Sequence, residues 1–516
     1  METVKEANIE ETNTETNTET VSAVSSSGCI EATTELEEEL QKLVDGSEEK
    51  LNETEKTQLL SLLLEYHSLF AASTSDLGRT NCIQHHINTG SNPPVRQRVR
   101  RISPALMGEV RELLDEMSKK DVIQKAISPW ASPIVLVWKK DGKLRFCVDY
   151  RKVNSITRKD AYPLPGVDDT LITLDGTKWF STLDMISGYW QVEVAPEDRE
   201  KTAFCTHEGL YEFKVMLFGL TNAPATFQRL MDSVLAGLQW KSCLVYLDDI
   251  IICGKTFEEH LSNLRAVFEC LKQAGLKLQP TKCAFARKKV EFLGHIVSED
   301  GIATDPAKVE KVANWPEPTS TKEVQQFLGL ASYYRQFIKD FSMYAKPLCK
   351  LTEKGEEFRW TADCQNAFVD LRRKLVSAPI LAFPNFSKPF LLDTDASDNG
   401  IGAVLSQVQE DGRECVIAYA SRMLTKAEQR YCVTHKELLA VVTFVHHFRH
   451  YLLGQQFTLR TDHGSLTWLK NFKHPEGQLA RWLERLEEYN FTVVHRPGRK
   501  HCNADALSRL PCRQCG

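Results

Sequence analysis

Two acidic side chains interrupt an apolar stretch near the middle of this 516-residue chain. Asp248 and Asp249 lie inside the apolar run 243–253, and a second strand-like segment, 179–183, leads directly into Asp184. The run predicts a β-hairpin that turns at the two acids. Ionised carboxylates in apolar surroundings are costly unless they are paired or bind a metal ion, so the three acids are candidates for a metal site. The alternative is that Asp248 and Asp249 only form a polar turn.

The chemistry of these acids favours the metal site. Three carboxylates from two strands suit Mg²⁺, which prefers oxygen ligands and completes its shell with water and substrate phosphates. Two such ions, about 3.5–4 Å apart, would activate a primer 3′-hydroxyl and stabilise a pyrophosphate leaving group. The sequence therefore predicts a two-metal site in which Asp184, Asp248 and Asp249 are catalytic residues and metal ligands, with Mn²⁺ as a substitute ion.

A second group of acids lies in the last quarter of the chain. Asp393 and Asp395 are two positions apart in a strand-like segment, so both project from one face and their spacing does not choose between them. Asp462 ends another strand-like segment. Asp505 lies in the first turn of the last predicted helix, where it would also complement the helix dipole.

Glu437 has two explanations. It follows Thr434 at the spacing of a capping box, in which it would reach back to the start of its helix. It also shares a helix face with the apolar residues Val441, Phe444 and Phe448, which should face a sheet. A residue that only caps a helix does not need that face, so we expect Glu437 to point inward at the acids of the strands.

The motifs resemble those of reverse transcriptases. Residues 246–249, Tyr-Leu-Asp-Asp, are similar to the YxDD box, and residues 180–189 to the first carboxylate motif of that family. Residues 218–228 resemble the motif that lies under the nascent base pair, residues 292–295 the primer grip, and residues 139–145 the hairpin of the fingers. The motifs follow the family's order. Residues 59–509 as a whole resemble the Pol polyprotein of gypsy-type long-terminal-repeat retrotransposons, which are related to retroviruses.

This resemblance implies roles for individual residues. Lys139 and Arg145 would bind the triphosphate of the incoming nucleotide, although solvated turn cations are the simpler alternative. Tyr189 would stack beneath the sugar and exclude a 2′-hydroxyl, unless it is a core aromatic residue. Asp149 is expected to be an ion-pair partner and not a metal ligand. The remaining implied contacts are those with the substrate, Phe218 and Gly219, and those with the primer, Phe292, Leu293, Gly294 and His295.

The second acidic group resembles the four-carboxylate site of ribonuclease H. The resemblance selects Asp395 over Asp393 and implies that Asp395, Glu437, Asp462 and Asp505 are catalytic residues that bind two Mg²⁺ ions. These ions would activate water, and the nuclease would recognise the wide minor groove and the 2′-hydroxyls of a hybrid. The histidine on a loop of retroviral nucleases has no clear counterpart, since neither His495 nor His501 lies in a matching context.

The charge and the cysteine content of the chain limit which partners and which cellular location are expected. The chain carries 64 Lys and Arg against 69 Asp and Glu, a net charge of -5, but the first 80 residues are strongly acidic and the remainder is net positive. A basic body suits phosphate binding. The 15 Cys follow no framework spacing, which predicts a reducing intracellular compartment. We expect a cytoplasmic location, including retrotransposon particles, with access to the nucleus. The terminal pair Cys512 and Cys515 lacks two further zinc ligands.

The predicted fold class is α+β and multidomain: a right-hand polymerase with fingers, palm and thumb, followed by a ribonuclease H-like α/β domain with a mixed five-stranded sheet. The expected partners are an RNA template, a DNA primer, RNA–DNA hybrid and deoxynucleoside triphosphates, with no membrane and no prediction of the oligomeric state. The rival interpretation is a decayed nucleic-acid-binding protein without turnover. The predicted boundaries are an acidic disordered tail at 1–53, a helix and lead-in at 54–94, fingers and palm at 95–300, a helical thumb and Pro-rich connector at 301–384, ribonuclease H at 385–510 and a tail at 511–516.

Overall fold

The computed structural model describes residues 27–45, 51–138, 144–463 and 477–496, together with Gly142 and Leu466. Lys139, His501, Asp505, Cys512 and Cys515 lie outside the described residues. None of the helices within these ranges is long and apolar enough to cross a membrane.

The chain begins its described part with two helices, α1 (Ser27–Asp45) and α2 (Glu53–Glu65). Leu36, Leu40 and Val44 of α1 are buried in the same core as α2. The expectation of a disordered tail over 1–53 is therefore wrong for residues 27–45. The reason is an apolar residue at every fourth position, which gives an otherwise acidic segment one face that can be buried.

The next part of the chain, from residue 80 to 304, is a mixture of short strands and helices. Its helices are α3 (Met107–Lys119), α4 (Arg151–Ile156), α5 (Val167–Ile172), α6 (Ala223–Val234) and α7 (Phe257–Gln273). Its strands are β1 (Thr80–His85), β2 (Ile123–Lys125), β3 (Ser132–Trp138), β4 (Leu144–Val148), β5 (Trp179–Asp184), β6 (Val192–Val194), β7 (Phe204–Thr206), β8 (Gly209–Phe213), β9 (Cys243–Tyr246), β10 (Asp249–Gly254), β11 (Ala284–Arg287), β12 (Lys289–Phe292), β13 (His295–Ser298) and β14 (Gly301–Thr304).

Three sheets of this part position the first acidic site. The central sheet has the order β11-β5-β10-β9, with β10 antiparallel to both β5 and β9. A second sheet, β2-β8-β7-β3-β4, carries the hairpin of Arg145, and a third, β12-β13-β14, carries the turn at Leu293 and Gly294. The apolar residues of β5, β9 and β10 are buried on both faces, which explains why these strands read as continuous apolar runs.

A helical region follows, with α8 (Pro306–Ala313), α9 (Thr321–Tyr333), α10 (Phe341–Lys350) and α11 (Ala362–Val376). Side-chain caps begin three of these helices: Asp305 accepts from Ala307 N, Ser320 from Glu323 N and Thr361 from Cys364 N. These helices share a buried core with one face of the central sheet and with β12, β13 and β14. Pro347 lies inside α10.

The last part forms a mixed five-stranded sheet, as predicted. Its order is β17-β16-β15-β18-β19, and β18 runs parallel to both β15 and β19. The helix α12 packs against β15 and β16. Its elements are β15 (Phe390–Ala396), β16 (Gly400–Val408), β17 (Glu414–Met423), α12 (Val433–His447), α13 (Arg449–Leu452), β18 (Gln456–Thr461), α14 (Gly477–Leu486) and β19 (Asn490–His495).

The helical region and this last sheet are packed together. The Ser421 hydroxyl accepts a 3.0 Å hydrogen bond from Ser342 N, and the Ser421 carbonyl accepts one of 2.9 Å from Arg335 Nη2. Val416 and Tyr419 of β17 pack against the core of the helical region, whereas Ile417 of the same strand belongs to the core of the sheet. The Pro-rich connector therefore joins two units that also share a buried contact.

Candidate active sites

The first three acids meet at the end of the central sheet. Strand register places Asp249 opposite Asp184, and the β9–β10 turn passes through Leu247 at a positive φ of 55° before it reaches Asp248. Gly188 is essential to this approach, since a Cβ there would lie 3.2 Å from Asp248 Oδ1. The hairpin that turns at the acids is therefore confirmed, and it brings the carboxylates of both strands to one edge.

The electrostatics of this group fit a cation. Burial, together with the charges of Asp249 and Asp184, raises the pKa of Asp248 to about 7. Partial desolvation and Asp184 raise the pKa of Asp249 in the same way. Asp248 Oδ1 is buried and has no hydrogen-bond partner among the described residues. A divalent cation would supply the missing partner and relieve the repulsion between like charges.

Lys282 is a member of this site that sequence reasoning missed. Its ammonium lies 3.2 Å from Asp184 Oδ1. Its positive charge partly opposes the rise in the pKa of Asp248 and Asp249 that burial and the neighbouring carboxylates cause. The residue sits in the single helical turn Pro280–Lys282, against which α1 packs. Lys282 is a lone lysine two residues after Pro280, and the local sequence does not indicate a functional role for it. It lies near the acids only because this turn folds back onto β5.

One cavity of about 490 Å³ opens on the carboxylates from the side of the β3–β4 hairpin. Asp184, Asp248, Arg145 and Phe218 line it, so the structure brings these four predicted residues together. Gly219, next to Phe218, has a φ of 96°, a conformation that favours glycine.

A second cavity, of about 900 Å³, reaches from Asp184 and Asp249 to the β12–β13 turn. Leu293 and Gly294 both have positive φ there, at 47° and 71°, as a two-residue hairpin of type I′ requires. The hydroxyl of Tyr334 donates a 2.7 Å hydrogen bond to the Gly294 carbonyl. These contacts hold the turn at the wall of the cavity.

The other two residues of the expected primer grip are placed differently. Phe292 lines the cavity but is largely buried. His295 is 1% exposed and its ring stacks between Tyr333 and Phe337, with centroid distances of 5.2 and 5.6 Å. The His295 ring thus packs the turn against the helical region, and the expected contact of this residue with a primer stays a prediction.

Asp149 is confirmed as an ion-pair partner. It pairs with Arg100 at 2.6 Å and with Arg151 at 2.7 Å, and these hydrogen bonds, chiefly that of Arg151, hold the pKa of Asp149 well below its usual range. The arginine-rich segment 95–101 is not a strand in the structure, and it makes a single β-bridge, between Arg96 and Ala131.

The second acidic site lies at one end of the last sheet. Carboxylate oxygens of Asp395, Glu437 and Asp462 all lie within 4.8 Å of one another. Burial and the charges of Asp395 and Asp462 raise the pKa of Glu437 to about 9. Glu437 Oε1 accepts a 3.3 Å hydrogen bond from Ala396 N, while the buried Oε2 has no partner among the described residues. Asp505, the fourth expected acid, lies outside those residues.

The capping-box interpretation of Glu437 is wrong. The helix α12 begins at Val433 with Cys432 as its N-cap residue, two residues before Thr434, so Thr434 lies inside the helix and does not cap it. Thr434 Oγ1 instead lies 3.0 Å from His463 Nε2, next to Asp462 in sequence. The carboxylate of Glu437 is thus directed at the strand acids and not at the start of its own helix.

Asp393 and Asp395 share a face, but they have different neighbours. Asp393 Oδ1 accepts a 2.8 Å hydrogen bond from Arg460 Nε, and Arg460 also pairs with Glu414 at 2.5 Å. Asp395 lies near Glu437 instead. His495 is close as well, since its Nε2 lies 3.0 Å from the Asp462 carbonyl. The choice of Asp395 for the acidic cluster therefore agrees with the geometry.

Two regions of the chain match known domain families. Residues 137–297 match the family described as reverse transcriptase (RNA-dependent DNA polymerase), and residues 385–489 match the RNase H-like domain found in reverse transcriptase.

Two Drosophila melanogaster proteins are similar over most of the chain. The retrovirus-related Pol polyprotein from transposon 297 is 42% identical over 470 residues, which cover 89% of this chain and 44% of that protein. The Pol polyprotein from transposon opus is 40% identical over 484 residues, which cover 90% of this chain and 47% of that protein. The chain thus spans less than half the length of these relatives.

Solved structures of foamy viral protease-reverse transcriptase share the fold. A complex with double-stranded DNA has a TM-score of 0.81 at 27% identity and covers 89% of this chain and 81% of that one. A complex with RNA/DNA hybrid has a TM-score of 0.76 at 26% identity and covers 92% of this chain and 64% of that one.

Proposed function

Because this chain carries a reverse transcriptase domain followed by an RNase H-like domain, as in the Pol polyproteins of gypsy-type transposons, we propose that it copies RNA and DNA templates into DNA and cleaves the RNA of the resulting hybrids. The partners that follow are an RNA template, a DNA primer, RNA–DNA hybrid and deoxynucleoside triphosphates. The foamy viral relatives bound to double-stranded DNA and to RNA/DNA hybrid support partners of this kind.

One observation carries this proposal. Each domain holds three carboxylates that converge in a partly buried place, and each group contains a buried carboxylate oxygen without a hydrogen-bond partner among the described residues. Natural proteins rarely leave such groups unpaired unless a ligand completes them. Oxygen-only ligand sets favour Mg²⁺ or Mn²⁺, which supports such ions in each site; the number of two per site is what the family resemblance implies.

In the polymerase site, Asp184, Asp248 and Asp249 would hold the ions. When bound, the ions supply the Lewis acidity that activates a primer hydroxyl and neutralises the charge of the leaving group. The Lys282 ammonium lies 3.2 Å from Asp184 Oδ1 and places a positive charge beside the three carboxylates. Arg145, at the opposite wall of the smaller cavity, supplies a planar donor group that suits a triphosphate.

The two cavities offer separate places for the two substrates of primer extension. The smaller one, with Arg145 and Phe218, suits an incoming nucleotide, and the larger one, with the turn at Leu293 and Gly294, suits a primer end. Both open on Asp184, so the hydroxyl of a primer and the phosphates of a nucleotide would meet at the carboxylates. This arrangement makes primer extension the reaction that the palm supports best.

In the nuclease site, Asp395, Glu437 and Asp462 would hold the ions, with Asp505 as the fourth ligand implied by the family resemblance. Glu437 is anchored by the Ala396 amide, which leaves its second oxygen directed at the other two acids. The ions here would activate a water molecule, so the same carboxylate chemistry would lead to hydrolysis of the RNA strand.

The test is primer extension on RNA and DNA templates with Mg²⁺, using the Asp248→Asn variant. Loss of a ligand removes several kcal/mol of transition-state stabilisation, so we expect extension to fall roughly a thousandfold or more, at about 1.4 kcal/mol per decade. The matched control is Asp300→Asn, an exposed acid that is not among the residues lining either cavity. Extension at the wild-type rate by Asp248→Asn would contradict the proposal, and failure of the wild-type protein to extend at all would favour a binding protein without turnover.

A further inference from the structure

A buried lysine lies beside the second acidic site without being one of its expected ligands. Lys436 directly precedes Glu437 in α12 and is only 6% exposed. Its ammonium donates a 2.8 Å hydrogen bond to Oδ1 of Asp398, whose own side chain is exposed. Burial of an ammonium group is costly unless a partner compensates for the lost water. Lys436 therefore depends on Asp398, which is its one acidic partner in the described part of the chain.

Asp398 belongs to the turn that joins β15 and β16, residues 397–399. Asp395 and Ala396 directly precede this turn at the end of β15. Carboxylate oxygens of Asp395 and Glu437 lie within 4.8 Å of one another, and the Ala396 amide donates a hydrogen bond to Glu437 Oε1. The position of the turn therefore affects both the Asp395 carboxylate and the amide that anchors Glu437.

Hydrogen bonds within the sheet give the turn its shape. The Ser397 hydroxyl accepts a 3.0 Å hydrogen bond from Gly400 N and donates one of 2.9 Å to the Gly400 carbonyl. The Asn399 carbonyl accepts a 2.9 Å hydrogen bond from Leu424 N, at the end of β17. These bonds fasten the turn to β16 and β17, which do not carry the acids of the site. Its link to α12 is the ion pair of Lys436.

The helical region holds the same turn from another direction. Lys346 Nζ, in α10, donates a 3.0 Å hydrogen bond to Asn399 Oδ1. A Cβ at Gly400 would lie 3.0 Å from Met343 Sδ, so the absence of a side chain at Gly400 allows α10 to come close. Because these contacts involve Asn399 and Gly400 and not Asp398, they cannot replace the link between the turn and α12.

Resting on the proposed nuclease function, we infer that Lys436 is a positioning residue of the nuclease site, which acts through Asp398. The ion pair holds the turn 397–399 against the first turns of α12, and the turn in turn fixes Asp395 relative to Glu437. Neighbouring residues project about 100° apart around a helix, so Lys436 can reach the turn while Glu437 faces the acids. The ammonium cannot itself bind a metal ion, since it has no acceptor.

The experiment measures kcat, KM and the Mg²⁺ concentration at half-maximal rate for hybrid cleavage by the full chain. Lys436→Met keeps a buried apolar stem and removes the charge. It should lower kcat by about tenfold or more and raise the Mg²⁺ requirement, the scale expected when a group that orients metal ligands is lost, while KM for the hybrid stays the same. Lys436→Arg should restore most of the rate. Primer extension should not change, and Lys426→Met, at an exposed lysine of the same domain, is the matched control.

A second readout does not depend on activity. Hydrogen exchange of a peptide that covers residues 395–400, measured in EDTA, should be faster in Lys436→Met than in the wild type, because the turn loses its link to α12. Asp398→Asn should reproduce both the exchange and the kinetic effects, and it keeps the test decisive if Lys436→Met unfolds the domain. The double variant should be no slower than either single variant, since residues that act through one another are not additive.

Two results would overturn the inference. A raised KM with a weaker salt dependence in Lys436→Met, together with wild-type cleavage by Asp398→Asn, would make Lys436 a residue that binds phosphates of the hybrid. Wild-type kcat, Mg²⁺ requirement and exchange in both variants would reduce the ion pair to a surface contact. Neither result affects the proposed nuclease function, which fails only if the wild-type chain does not cleave hybrid.

Discussion

Replacing Glu437 with Gln should stabilise the metal-free protein while it removes nuclease activity. The side chain is 4% exposed and lies among two other carboxylates, which raises its pKa from the ordinary 4.5 to about 9. At pH 7 the folded protein therefore keeps a proton that the unfolded chain releases. Between pH 4.5 and pH 7, about 2.5 pH units at about 1.4 kcal/mol for each, this difference lowers the free energy of unfolding by on the order of 3 kcal/mol. Glutamine can keep the hydrogen bond with Ala396 N and carries no such cost.

The direction of the pH dependence follows from the raised pKa. Below pH 4.5 both states of the wild type are protonated, so the wild type and Glu437→Gln should be equally stable with respect to this residue. As the pH rises from about 4.5 to 9, the wild type should lose stability relative to the variant, by up to about 1.4 kcal/mol per pH unit. Mg²⁺ should reduce the difference, because a bound cation stabilises the ionised carboxylate.

The assay is hydrogen exchange of peptides from α12 and β15 in the full chain, between pH 5 and 8, with EDTA or with Mg²⁺. The same samples are tested for cleavage of hybrid and for primer extension. Glu488→Gln is the control, since Glu488 forms an exposed pair with Arg449 and its loss should change stability by less than about 1 kcal/mol. Parallel stability curves for the wild type and Glu437→Gln in EDTA would refute the raised pKa, and retained cleavage would refute the role of Glu437 as a metal ligand.

Two other predictions concern packing. Asp393→Asn should lower the free energy of unfolding of the last domain by about 3 kcal/mol, because it leaves the half-buried Arg460 with Glu414 as its remaining acidic partner, while hybrid cleavage by the folded protein persists. Lost cleavage at unchanged stability, measured by denaturant unfolding and a cleavage assay, would make Asp393 a ligand. Leu40→Asp places a charge in the core between α1 and α2 and should reduce both thermal stability and primer extension, since α1 packs against the turn of Lys282, whereas the exposed Lys42→Ala should change neither.

The sequence was most informative where chemistry contradicted the apolar pattern. Two acids inside an apolar run predicted both the β9–β10 hairpin and its position beside β5. Ionised carboxylates in apolar surroundings are costly unless they are paired or bind a metal ion, so these acids were expected to meet Asp184. Period-two alternation could not separate Asp393 from Asp395, since the distinguishing neighbour, Arg460, belongs to a strand 67 residues away. Such a choice needs the sheet order, which no local pattern contains.

Local signatures were misleading where they depended on an exact boundary. Thr434 and Glu437 have the spacing of a capping box, but α12 begins at Val433, so the box is out of position. The acidic composition of the segment that forms α1 favoured disorder in the sequence analysis. Leu36 and Leu40 are nevertheless buried, and their spacing of four was visible in the sequence. Composition reports an average over a segment, whereas a helix needs only one apolar face to pack.

The shared contact between the helical region and the last sheet bears on how the RNase H-like domain can be produced by itself. A fragment that starts near residue 385 would retain the five strands and α12, but Val416 and Tyr419 would lose the helices that cover them, and Ser421 would lose Arg335 and Ser342. Apolar side chains uncovered on one sheet face promote self-association. A soluble recombinant fragment with this domain would therefore retain the chain from α9 onward, or would carry polar replacements at Val416 and Tyr419.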